Sequence, residues 1–238
     1  MVSRAERIDE ALLLVAGGEG VLWALALNEI PVRRTYIEAV TGLSERVVVK
    51  ALARLANAGL LAPTKGLRFE LESPEMARDV RERVPPGERR QIHEESLRYE
   101  FPPAEDPGPT FRLVHLMGAD RVADAGKLML EILSHEPPQI EAGRAATLLE
   151  ELIRRIDDVG DEPLGLMEGL KLAWLRCGMQ TLGPRKLRAL GEDLKAAGLV
   201  GAAAATLDAL LVEMDRELAA RAARRKAQKK AVGSEETA

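Results

Sequence analysis

Ten residues, FPPAEDPGPT at Phe101 to Thr110, hold four prolines and a glycine. Proline has no backbone N–H to donate, and its ring blocks helix continuation, so no helix runs through this stretch. Nor does it alternate apolar and polar residues as a strand would. The spacing therefore predicts a break, with a domain over 1–100, a Pro-rich linker over 101–110, a second domain over 111–232 and a disordered tail over 233–238. At 238 residues the chain is long enough for both domains to bury a core. Only 3% of residues are aromatic, and Ala, Leu, Glu and Arg are abundant, which predicts a mostly α fold.

Before the break, short helices lead into a compact extended pair. Ser3 and Glu6 have capping-box spacing for a first helix reaching about Ala16, and GGEG at Gly17 to Gly20 stops it. VLWALALNEI and VRRTYIEAV follow. In TGLSERVVVKALARLANAGLLAP, Val48, Ala51, Leu52 and Leu55 fall at i, i+3, i+4 and i+7, one buried stripe of a helix that Ser44 can cap and Gly59 ends. Leu60 and Leu61, a turn over Pro63 to Gly66, and LRFEL then form a two-stranded wing, with Leu67, Phe69 and Leu71 alternating toward the core. A helix after Pro74 carries Met76, Val80 and Val84, and another opens at Pro85 or Pro86.

The order of a TGLS turn, an ALARLANAGLL helix, a short strand with one aromatic residue and ERVPPGERRQIH resembles a known family. It is similar to the winged-helix segment that follows the ATPase in signal-transduction ATPases with numerous domains, including the maltose-activator type. The resemblance spans roughly residues 20 to 97. It implies an N-terminal winged helix, three helices plus a short β-hairpin, followed by tetratricopeptide-like helical hairpins. Two pairs fit the second part: FRLVHLMGADRVADAGKLMLEIL with QIEAGRAATLLEELIRRIDDV, and LMEGLKLAWLRCGMQ with LGPRKLRALGEDLKAAG, the latter closed by Gly160 and Gly198. Their length is near the roughly 34-residue tetratricopeptide period.

The motifs that carry chemistry are missing. No GxxxxGK[ST], GxGxxG, HExxH, CxxC or GxSxG occurs, so the phosphate cradle of the family's ATPase is absent, and GGEG has no Lys-Ser/Thr downstream. Where the family presents a nucleotide-sensing histidine before a proline, this chain has Ser73, whose hydroxyl cannot carry an imidazole's charge. His93, His115 and His135 are scattered without metal-ligand spacing, and Cys177 has no histidine near it in sequence. Asp157, Asp158, Asp161 and Glu162 lack the alternating oxygens of a calcium loop. Catalytic, cofactor and metal sites are therefore not expected.

What remains is recognition without chemistry. A net charge of −4 provides no global pull toward nucleic acid or anionic lipid, and no apolar run is long enough to span a bilayer. The expected protein is a non-enzymatic, cytoplasmic regulator or adaptor that holds another protein, such as a separate ATPase chain, on helical-repeat and winged-helix surfaces. Homo-oligomers stay open. Trp174, Arg176, Met179 and Arg185 are the candidate protein interface, because aromatic and Arg side chains anchor interfaces. The alternative is a winged-helix transcription regulator that binds duplex DNA through Arg46, Lys50, Arg54 and Asn57 and uses its C-terminal helices for dimerisation or an effector. Against it stand Glu45 at the start of that face, Val49 and Ala53 within it, a wing LRFELE that adds no net positive charge, and near electroneutrality over the first hundred residues. The basic tail RAARRKAQKK lacks interleaved aromatic residues and reads as a solvated helix end.

Overall fold

The computed structural model describes residues 4–64, 66–135, 138–159, 165–199 and 201–235. Ser3, Lys65, Gly160, Asp161 and Glu162, named above, lie outside the described residues. The protein is mostly α-helical, with twelve α-helices and one two-stranded sheet among the described residues. It divides into two compact units, Met1–Arg121 and Val122–Ala238.

The first unit contains α1 (Arg4–Leu14), α2 (Glu19–Leu27), β1 (Val32–Arg33), α3 (Arg34–Thr41), α4 (Glu45–Asn57), β2 (Arg68–Phe69), α5 (Pro74–Arg83), α6 (Pro86–Arg98) and α7 (Pro109–Gly118). Gly42, at φ +66, takes the left-handed conformation that turns α3 into α4. The stripe Val48, Ala51, Leu52 and Leu55 is buried as its spacing predicts. The Ser44 hydroxyl makes no capping bond at this helix start, and its backbone carbonyl instead receives the Val47 and Val48 N–H groups.

The extended pair closes through the Ala62 N–H to the Glu70 carbonyl and the Glu72 N–H to the Leu60 carbonyl, each 3.0 Å. β2 also pairs antiparallel with β1, Val32 opposite Phe69 and Arg33 opposite Arg68. Leu71 is buried and Phe69 partly so, but Leu67 is 81% exposed and does not turn toward the core as its alternation predicts. Only two residues of this strand join the ladder, and Leu67 precedes them.

The proline-rich stretch lies inside the first unit, not between two. The prolines do keep an α-helix out until Pro109 opens α7, leaving a short 3-10 turn at Pro103–Glu105. Phe101 and Phe111 at its two ends, however, insert beside Tyr36, at ring-centroid distances of 5.5 and 6.2 Å. Burying aromatic surface outweighs the freedom a linker would keep. The division falls instead after α7, where Asp120 adopts φ 58 and the Arg121 N–H closes onto the Leu116 carbonyl at 2.9 Å. FRLVHLMGADRVADAGKLMLEIL is thus two helices, of which α7 belongs to the first unit.

The second unit contains α8 (Val122–Ser134), α9 (Ala142–Val159), α10 (Leu166–Thr181), α11 (Pro184–Ala196) and α12 (Gly201–Glu235). α10 touches each of the other four. Its Leu175 and Met179 join Leu187, Leu190 and Leu194 of α11 and Leu207, Leu211 and Met214 of α12 in one apolar core. Residues 233–235, expected in a disordered tail, continue α12, and 236–238 lie outside the described residues.

Candidate interaction surfaces

In the second unit, α8, α10 and α12 leave a groove of about 710 Å³ between them. Leu130, Leu133, Leu172, Ala173 and Leu210 form its apolar walls, and Arg176 and His135 stand among its polar residues. Cys177 also lines it, half-buried. Burial pushes this thiol up from its ordinary value while the neighbouring Arg176 pulls the other way, so the sulfur is kept protonated and is a poor nucleophile.

Trp174, Arg176, Met179 and Arg185 do not gather on one surface. Arg176 and Arg185 are exposed, but Met179 is only 5% exposed and is core, because α11 and α12 close over that side of α10. Trp174 is half-buried against the same core. The Lys186 ammonium of α11 lies 5.5 Å from its ring centroid and bonds Glu150 of α9 at 2.6 Å, so this lysine links α9, α10 and α11.

On the first unit, Arg46, Lys50 and Asn57 are exposed on the outer face of α4, with Arg54 half-buried beside them. Glu45, which opens this face, is ion-paired with Arg34 of α3. Ser73, at the position of the resembled family's histidine, accepts the Met76 N–H at 3.2 Å and caps α5. At the other end of α5, Arg89 of α6 donates to the carbonyls of Arg81 and Val84, satisfying acceptors that the helix leaves open. These bonds account for ERVPPGERR structurally.

Two polar groups lie in the core of this unit. Tyr36 donates to Asn28 Oδ1 at 2.9 Å and meets the Ser96 hydroxyl at 2.6 Å, while Asn28 Nδ2 donates to the Ala24 carbonyl at 2.6 Å. Burial pushes the Tyr36 phenol up to about 12, against the lowering effect of these two partners. Beside it, His93 of α6 and His115 of α7 face each other with Nδ1 atoms 2.8 Å apart, at 5% and 1% exposure. One imidazole donates and the other accepts, which only a neutral acceptor can do. Burial, then the facing His93, hold His115 down at about 3.

The pairing of His93 with His115 was not legible in sequence, since 22 residues separate them and no spacing rule links helices across a turn-rich break. His135, in the second unit, is exposed. Among the described residues no group of three or more His, Cys, Asp or Glu could hold a metal ion, and no helix is long and apolar enough to cross a membrane. Asp157 and Asp158 are exposed at the end of α9. In comparisons with known proteins, no protein-family model, no curated protein and no solved structure matches the chain.

Proposed function

We propose that this protein is a non-enzymatic, cytoplasmic regulator or adaptor that holds an apolar segment of a partner protein in the groove of its second unit. The observation that carries the proposal is the Leu-lined volume of about 710 Å³ among α8, α10 and α12, with Arg176 present to orient an acidic residue of the partner. Contacts of α10 with α8, α9, α11 and α12 support helical hairpins stacked in the tetratricopeptide-like manner, which present such a groove on one side. In the first unit, a helix–turn–helix flanked by antiparallel strands supports a winged helix. The relationship to signal-transduction ATPases remains part of this proposal, and a separate ATPase chain is a natural partner for it.

The test is affinity capture from a lysate of the source cells, with the wild-type chain and Ala173→Arg run side by side. Ala173 lines the groove without belonging to the core, so the larger cation fills the groove while the fold stays. A protein held by the wild type and lost from Ala173→Arg, at unchanged circular dichroism, is the expected result. Identical capture by both chains would rule the groove out.

A further inference from the structure

The basic face of α4 belongs to the first unit and is not among the residues that line the groove. Between Arg33 and Arg68 the chain has seven Lys or Arg and only two acidic residues, Glu38 and Glu45, a local charge of +5 inside a chain whose net charge is −4. The remainder of the molecule is therefore acidic on balance, with RAARRKAQKK of α12 as a second basic run. Glu38 and Glu45 both pair with Arg34. The negative charge at the start of α4 is thus answered from α3 and does not face outward alone.

The exposed stripe of α4 is Arg46, Lys50, Ala53 and Asn57, at i, i+4, i+7 and i+11, opposite the buried Val48, Leu52 and Leu55. It runs for about 17 Å, the rise of eleven helical residues. Val49, 46% exposed, flanks it, and Ala53 at its middle leaves the helix axis free to approach another surface closely. Glu105 meets Arg33 at 2.6 Å and Arg68 at 3.9 Å, so the outward charge belongs to α4 and not to the strands.

We propose that this face of α4 binds double-stranded DNA, with Arg46 and Lys50 on phosphates and Asn57 within reach of base edges. Charge complementarity selects a polyanion, and groove dimensions select the kind: a helix enters the major groove of B-form DNA, whereas the deep, narrow major groove of duplex RNA excludes it. Arg and Lys on phosphates supply affinity, while Asn can read adenine. Val49 offers the apolar contact that a thymine methyl takes. This inference is independent of the groove in the second unit.

The experiment is fluorescence polarisation of the full chain with a labelled mixed-sequence DNA duplex and with the duplex RNA of the same sequence. Affinity for DNA should fall about 12-fold between about 50 and about 200 mM salt, as two phosphate contacts require. Changing Arg46→Glu and Lys50→Glu together should weaken binding at least about tenfold at the lower salt and shallow the log–log salt slope by about 2. The same charge change made at Arg90 and Arg98, exposed on α6, controls for net charge and should leave affinity within about twofold. Absence of DNA binding at the lower salt, equal loss in both double variants, or equal affinity for duplex RNA would each overturn the proposal.

Discussion

At the scale of single residues, the buried His93–His115 contact makes the first unit sensitive to acid. The folded state holds His115 at about 3, below the ordinary 6.5 that the unfolded chain regains. Stability is therefore complete above the unfolded value and lost as pH falls toward the folded one, with a slope of up to about 1.4 kcal/mol per pH unit. Urea unfolding between those limits should show this slope, and His115→Leu should flatten it. Gly118 belongs to the same contact, since a Cβ there would stand 2.2 Å from His93 Cδ2 and Nε2. Helix propensity alone would make Gly118→Ala stabilising by about 1 kcal/mol. Overpacking against a buried ring reverses the sign, and we expect a loss of about 2 kcal/mol in urea unfolding. Gly87, with open space where its Cβ would go, should tolerate the same change. None of this could be read along the chain, because a glycine near a helix end looks like a terminator until the ring beside it is known.

At the scale of elements, apolar periodicity was the dependable signal and local polar chemistry the less dependable one. The stripe on α4 buries as its spacing predicts, because four apolar side chains on one face leave a helix a single way to turn. Capping depends on the rotamer of one hydroxyl. Ser44 stands at the start of α4 without making a capping bond, whereas Ser73, at the place of the resembled family's histidine, does cap α5. Ser73→Ala should consequently cost about 1 kcal/mol in thermal or urea unfolding. If Ser44→Ala cost as much, the hydroxyl geometry described for the two helix starts would be wrong. Leu67 shows the limit of period-two reasoning: alternation assigns it a face, but only a paired strand has two faces, and the ladder begins one residue later.

At the scale of the whole molecule, the division into two units predicts how fragments behave. A fragment of residues 1–121 retains Phe101, Phe111 and His115 and should unfold cooperatively in urea with native near-ultraviolet dichroism. One ending at residue 100 exposes Tyr36 and His93 and should not. Non-cooperative unfolding of the longer fragment would show that α7 is not integral to the first unit. Sequence alone determined the mostly helical class, the helix that buries Val48 to Leu55, the stop imposed by the prolines and the lack of a phosphate-binding loop, because each depends on neighbours within a few residues along one chain. Tertiary structure decided that Phe101 and Phe111 are core, that Met179 is covered while Arg176 is open, that two distant histidines meet, and that Glu45 is answered by Arg34. Those outcomes depend on which faces come together in space, and burial and ion pairing act only after that meeting has taken place.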